Sequence, residues 1–389
     1  MRKVLPALVL SLLLVMALAM GLITPVKAEK PLVVVIAHGA LEENVQLQYM
    51  KGNITEVDWK VITEEVTYDE IKDADMIIYV QVDIDLNITD DEVAAIKRWF
   101  DQGGKTLWVT GDSDYKGGDF KRIPNTNKIL KAVGSILRND HAEAVDRESN
   151  CGASYRVAAI IAPDKGLEFL AAGVERPVLF HGPGVVAVEI NGEWKPFYGK
   201  GDKPAPNVYR LAITSDKGAI AEFVKPLPAA YTIGEEGSFT LMAVEFMPND
   251  NIVILSVEAP FDHYHGMWET VYKDVPLDGP KFVKNVVLWA VGLYGPRIPF
   301  VTVTQTVTET VTETVTQTQV QTVTETATIT ETSTITTTET STVTSTVTTT
   351  QVSTTTTTVT APDYTAAAGI GIVLLIIGII IGYFVGKRK

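Results

Sequence analysis

The chain has 389 residues, with 33 basic and 47 acidic side chains, a formal charge of −14 and 46% hydrophobic residues. That acidic balance speaks against nucleic acid or an anionic lipid surface as partner, because both repel it. The single cysteine, Cys151, excludes an intrachain disulfide, so any folded part must rely on its core.

Arg2 and Lys3 precede an apolar run from Val4 to Ile23, and Val26-Lys27-Ala28 offers small residues for cleavage. This predicts a signal peptide over 1–28, with an uncleaved N-terminal anchor as the alternative; either one exports the domain that follows. Residues 29–300 suffice for one large extracellular domain.

Leu32 to Ala37 is a continuous β-branched run, as expected of a strand buried on both faces of a parallel sheet. Met76 to Val80 is a second. Thr89 with Glu92 three residues on forms a capping box, and Val93, Ile96 and Phe100 recur at helical spacing until Gly103-Gly104 stops the helix. Thr106 to Thr110 completes a β-α-β unit. Asn127 to Leu137 predicts a further helix with Ile129, Leu130, Val133 and Leu137 as its apolar face. Sequons at Asn53-Ile54-Thr55 and Asn87-Ile88-Thr89 mark Asn53 and Asn87 as glycosylation candidates on exposed turns.

The second half is richer in strands, at Arg156–Ile161, Val185–Ile190, Val208–Ile213, Phe239–Phe246 and Ile252–Val257. His181-Gly182-Pro183-Gly184 reads as a turn. A closing helix begins near Asp278 as cap and Pro280, buries Phe282, Val286 and Trp289, and ends by Gly292 and Gly295-Pro296. The pattern predicts an α/β fold: a doubly wound, mainly parallel sheet with a β-rich inserted or appended element around 177–236.

Asp75-Met76-Ile77-Ile78-Tyr79, the capped helix and the run Gly103-Gly104-Lys105-Thr106-Leu107-Trp108-Val109-Thr110-Gly111-Asp112 together resemble the core of the class I glutamine amidotransferase-like superfamily, which is flavodoxin-like α/β. More narrowly they are similar to its non-catalytic members in membrane-associated accessory proteins. Asn127 to Leu130, Gly134-Ser135, Asp146, Asn150 and the closing helix through Asn285 and Trp289 fit the same group. In catalytic members a cysteine nucleophile stands on a sharp strand-to-helix turn after this strand; the resemblance places Thr110 there, which implies a silent site. A mid-chain threonine hydroxyl has a pKa far above neutrality and needs a positioned base. Cys151 lies in a polar stretch downstream and reads as a structurally placed thiol.

If the strands are parallel neighbours, the residues after them share one crevice at their C-terminal ends. His38, Asp112, Asp114, His263 and His265 would then converge, with Asp262 and Glu269 nearby, as candidate ligands of a divalent metal. The competing reading makes Asp112 and Asp114 caps of the following turn and the histidines polar loop residues, with no cofactor. Phe261, Tyr264, Trp268 and Tyr272 could line a ligand cleft or anchor a long loop, so His38, Asp112, Asp114, Phe261, Tyr264 and Trp268 are the ligand-binding candidates.

From Val301 to Pro362 the composition turns to Thr with Val, Glu, Gln and Ser, in four-residue repeats such as Val307-Thr308-Glu309-Thr310. Few large apolar groups there offset an ordering entropy of roughly 1–2 kcal/mol per residue, so the segment reads as an O-glycosylated stalk, with a self-associating β-fibre as the alternative. Residues 366–385 are almost wholly Ala, Gly, Ile, Leu and Val, the length of a transmembrane helix, and the basic tail 386–389 faces the cytoplasm by the positive-inside rule. Stalk and anchor resemble those of archaeal surface proteins. Three functions fit: a stalked binding or scaffold module for a small molecule, glycan or surface protein, within a transporter or envelope assembly; an extracellular metal-dependent hydrolase; or a purely structural, adhesive protein.

Overall fold

The computed structural model describes residues 29–39, 45–198, 203–262, 264–297, 303–329 and 333–359. The expected signal peptide, transmembrane helix and basic tail lie outside the described residues; among those described, no helix is long and apolar enough to cross a membrane. The chain divides into two units, 1–299 and 300–389.

In chain order the first unit contains β1 (Leu32–His38), α1 (Val45–Asn53), β2 (Asp58–Ile62), α2 (Tyr68–Ile71), β3 (Met76–Gln81), α3 (Asp90–Phe100), β4 (Thr106–Thr110), α4 (Arg122–Ala132), β5 (Leu137–Asp140), β6 (Glu143–Asp146), β7 (Arg156–Ile161), β8 (Val178–His181), β9 (Val185–Ile190), β10 (Glu193–Pro196), β11 (Val208–Ile213), β12 (Gly218–Ala221), β13 (Glu236–Gly237), β14 (Thr240–Phe246), β15 (Ile252–Ser256), β16 (Val271–Tyr272), β17 (Val275–Pro276) and α5 (Gly279–Ala290). The fold is mixed α/β around a nine-stranded sheet of order β2-β1-β3-β4-β15-β14-β11-β7-β8. Its first five strands run parallel, and from β15 onward each neighbour is antiparallel. Two three-stranded sheets, β10-β9-β5 and β13-β12-β6, hold most of the expected β-rich element.

The parallel half forms where the sequence is apolar on both faces. Val33 to Ala37, Met76 to Tyr79 and Leu107 to Val109 are buried to within 1%. The side chains of Trp99, Trp108 and Trp289 are fully buried against this sheet region, each burial of a large apolar group stabilising by roughly 1.5–3 kcal/mol. The capping box on α3 is formed: Thr89 Oγ1 accepts the Glu92 amide at 3.2 Å, and Glu92 Oε2 accepts the Thr89 amide at 2.8 Å. Gly103 and Gly104 end that segment with φ of 83° and 66°, dihedrals that suit glycine.

Two expectations need correction. The helix placed at Asn127–Leu137 begins at Arg122 and ends at Ala132, because Gly134 (φ 79°) turns the chain and Leu137 already opens β5. Asp278 precedes α5 but its side chain does not cap it; the carboxylate accepts the amides of Glu175 and Arg176 at 2.8 and 2.9 Å. The parallel part of the central sheet spans β2, β1, β3, β4 and β15, and β14 joins β15 through a hairpin with Asn249 and Asp250 at φ of 61° and 59°. Asn251 fastens that hairpin beside β4: its Oδ1 accepts the Lys105 amide at 2.9 Å and its Nδ2 donates to the Phe100 carbonyl at 2.9 Å.

In the second unit β18 (Val303–Ile329) pairs antiparallel with β19 (Ser333–Val359) along their whole length. The Thr-rich segment expected to serve as a stalk is thus a two-stranded hairpin over these residues. The β preference of alternating Thr and Val is its physical reason.

Candidate functional site

β4 and β15 are adjacent and parallel, so the segments leaving their C-terminal ends, 111–118 and 257–262, emerge side by side. Between them and the ends of β6, β7 and β8 lies a cleft of about 540 Å³. Charged residues and aromatic rings line it.

The charged part starts from Asp112. Gly111 lets the chain pass Asn139, where any Cβ would come within 2.1 Å of its Oδ1, and that oxygen accepts the Asp112 amide at 2.8 Å. Asp112 Oδ2 then meets Arg122 Nη1 at 2.8 Å, and the same nitrogen reaches Asp119 at 2.5 Å. Arg122 is itself held by the carbonyls of Gln81 and Val82, at 2.7 and 2.8 Å, which ties α4 to β3. Burial pushes the Asp112 carboxyl well above the usual carboxylate range; Arg122 opposes the shift, and Asp119 and Asp262 add to it. Glu258 is raised in the same direction by burial and by Asp262 and Asp112.

Glu143, the first residue of β6, lines the cleft with 3% of its surface exposed, and its Oε2 has no hydrogen-bond partner. Burial, with Asp114 and Asp119 beside it, pushes it up to about 8, so it is largely protonated at neutral pH. Asp114 backs the cleft: its Oδ2 accepts the amides of Phe223 and Val224 at 2.9 and 3.3 Å, which brings the Phe223 ring edge-on to Tyr115 at 5.2 Å.

The opposite wall is built by the β7–β8 pair, in which Arg156 stands opposite His181. The Arg156 guanidinium lies over Tyr155, 4.8 Å from its ring centroid, and makes no ion pair among the described residues. His181 is edge-on to Tyr155 at 5.6 Å and tilted against Tyr264 at 5.1 Å. Burial, with Arg156 and His265 nearby, holds His181 down to about 4, so its imidazole stays neutral at ordinary pH. Its Nε2 has no partner.

The residues singled out from sequence divide between this cleft and other places. Asp112 and Tyr264 line it, and Asp114 stands behind it. His38 ends β1 and faces Glu92, with Nε2 3.4 Å from Oε1. Phe261 and Trp268 are buried in the core. His265 pairs with Glu269 at 2.7 Å, with its ring edge-on to Tyr264 at 4.4 Å and tilted against Tyr272 at 4.6 Å. His263 lies outside the described residues. Among the described residues no three His, Cys, Asp or Glu are arranged to hold a metal ion.

Thr110 is the last residue of β4, but no sharp turn into a helix follows, because residues 111–121 intervene before α4. Its hydroxyl donates to the Tyr79 carbonyl at 2.9 Å. Cys151 is fully buried, and burial pushes its thiol up. Asn53 and Asn87 are both exposed, at the end of α1 and in the loop before α3.

Glu143, Arg156, Tyr155, Tyr115, Phe223 and Arg122 were not marked by sequence. Tyr155 and Arg156 are neighbours, but the others come from separate stretches of the chain, so no local spacing joins the set; the one available signal was the strand-end rule, which reached Asp112 and Asp114.

No protein-family model matches the chain. No curated protein matches it. Among solved structures it is similar to the mmIFT52 N-terminal domain, at 11% identity and a TM-score of 0.44, covering 67% of this chain and 97% of that one. It is also similar to a GMP synthase component from Thermoplasma acidophilum, at 9% identity and a TM-score of 0.31, covering 68% and 94%.

Proposed function

We propose that this chain is a membrane-anchored, cell-surface binding module: a non-catalytic, doubly wound amidotransferase-like domain carried on a Thr-rich stalk, within a transporter or envelope assembly. The observation that carries this reading is the cleft beside β4 and β15, in which Glu143 and Arg156 present polar atoms that nothing in the described chain engages. Burying such groups costs free energy unless something meets them, and a ligand is the ordinary solution in a cleft of this size. The terminal apolar segments and the basic tail, read from sequence, support display at the membrane.

The test is a melting-temperature screen of the full-length chain against sugars, amines, amino acids and short peptides. A ligand that binds only the native state stabilises it by about 2.7 kcal/mol at a hundredfold excess over Kd. At least one class should raise the melting temperature, and Tyr155→Ala should abolish the shift. Silence from every class, or a shift indifferent to Tyr155→Ala, would overturn the proposal.

A further inference from the structure

The cleft has two poles of opposite charge. At one, Asp112 and Asp119 share Arg122, while Glu143 beside them keeps an unpartnered Oε2 although it is almost wholly buried. At the other stands Arg156, whose Nε is buried without an acceptor and whose guanidinium meets aromatic faces, Tyr155 at 4.8 Å and Tyr272 at 5.9 Å, rather than a carboxylate. Asp114 and Asp119 stand beside Glu143, whereas Arg156 stands beside His181. Rings of Tyr155, Tyr264, Tyr115 and Phe223 border the space between.

A sugar would satisfy the rings and the neutral carboxyl but would leave the guanidinium without an anion. A simple amine would satisfy the acidic pole alone. A ligand carrying both an ammonium and a carboxylate meets both poles, since guanidinium forks match carboxylates and ammonium groups are held by carboxylates and aromatic faces. Resting on the binding-module reading above, we infer that the cleft takes a small zwitterion of the amino-acid class, its ammonium at Glu143 and its carboxylate at Arg156.

Binding of the ammonium draws Glu143 into its ionised form, and the proton leaves to solvent. The charged and titratable groups around Glu143 are Asp112, Asp114 and Asp119 after β4, Arg122 on α4, His141 before β6 and Glu222 after β12. Arg156 and His181 on β7 and β8 and Asp262 after β15 complete them. Burial pushes both Glu143, up to about 8, and Asp112 upward, while His181 is held down to about 4; Asp112 is already met by Arg122, and Glu143 is the one whose Oε2 is left for a ligand.

The experiment is calorimetric titration of the full-length chain with alanine, glutamine and lysine as zwitterions. Ethylamine serves as a cation, propionate as an anion and glucose as a neutral polyol. Zwitterions should bind at least about tenfold more tightly than the singly charged probes, with affinity rising as pH goes from 6 toward 8, by up to about tenfold per unit. Arg156→Gln should weaken zwitterions at least about tenfold and leave ethylamine unchanged; Glu143→Gln should do the reverse between propionate and ethylamine and remove the pH dependence. Circular dichroism of each variant separates a folded, non-binding protein from an unfolded one. Ethylamine binding as tightly as alanine, or glucose binding best with affinity falling as pH rises, would overturn the zwitterion while leaving the binding module standing. No heat from any probe would overturn both.

Discussion

The main-chain amide of His181 donates to the Glu258 carboxylate at 2.6 Å, which fastens the end of β8 to the segment leaving β15. The other oxygen of Glu258 accepts the Ala259 amide at 2.7 Å, so one buried side chain holds the wall and floor of the cleft together.

Glu258→Ala removes both acceptors and leaves two main-chain amides without partners. Each orphaned buried group costs about 1–3 kcal/mol, so the variant should lose roughly 2–4 kcal/mol in urea unfolding, and Glu258→Gln, which keeps one acceptor, about half as much. An Ala variant within about 0.5 kcal/mol of the parent would contradict the role assigned to Glu258.

Arg122→Met breaks the pairs with Asp112 and Asp119 and the bonds to the carbonyls of Gln81 and Val82. The guanidinium is nearly buried, and removing one partner of such a pair leaves uncompensated charge, so a loss of about 3–5 kcal/mol is expected. Adding Asp112→Asn should recover part of it. A double variant no more stable than Arg122→Met would show that the charge is not the cause.

The pH dependence of stability follows from Glu143. Its folded value, about 8, is raised from an ordinary 4.5 by burial first and by Asp114 and Asp119 second. Between those values the unfolded chain has released the proton and the folded chain retains it. Glu143 therefore contributes stability that is full below about pH 4.5 and is lost as pH rises through 8, by roughly 5 kcal/mol at most. Unfolding of Glu143→Gln should become less pH-dependent than the parent over that window, and because His181 titrates in both, the difference isolates Glu143. Parallel curves would contradict the assignment.

Thr110→Val removes the hydroxyl that donates to Tyr79 while keeping the shape of the side chain. A loss of about 1 kcal/mol in stability is expected, with ligand affinity unchanged. Tenfold weaker binding in Thr110→Val would mean that the hydroxyl serves the ligand rather than the strand end.

The parallel half of the sheet was legible because its strands are apolar on both faces. Val33 to Ala37 and Met76 to Tyr79 admit little else, and Thr89 with Glu92 announced the helix between β3 and β4. The antiparallel continuation was hidden, because its order depends on long-range fasteners such as Asn251, which joins β15 to the segment before β4. Propensity in β14 or β15 says nothing of which neighbour each will choose. The site followed the same division: Asp112 and Asp114 come from the strand-end rule, whereas Glu143, Arg156 and His181 reach the cleft only through the pairing of β6 with β12 and of β7 with β8. His38 and His265 failed to meet because each finds a carboxylate nearby, Glu92 and Glu269.

The most direct measurement is the crystal structure of the full-length chain with the tightest binder among the amino acids, amines and sugars. Ligand density is predicted between Glu143 and Arg156, with the ammonium on the Glu143 side. A ligand bound elsewhere, with the cleft beside β4 and β15 filled only by solvent, would contradict it.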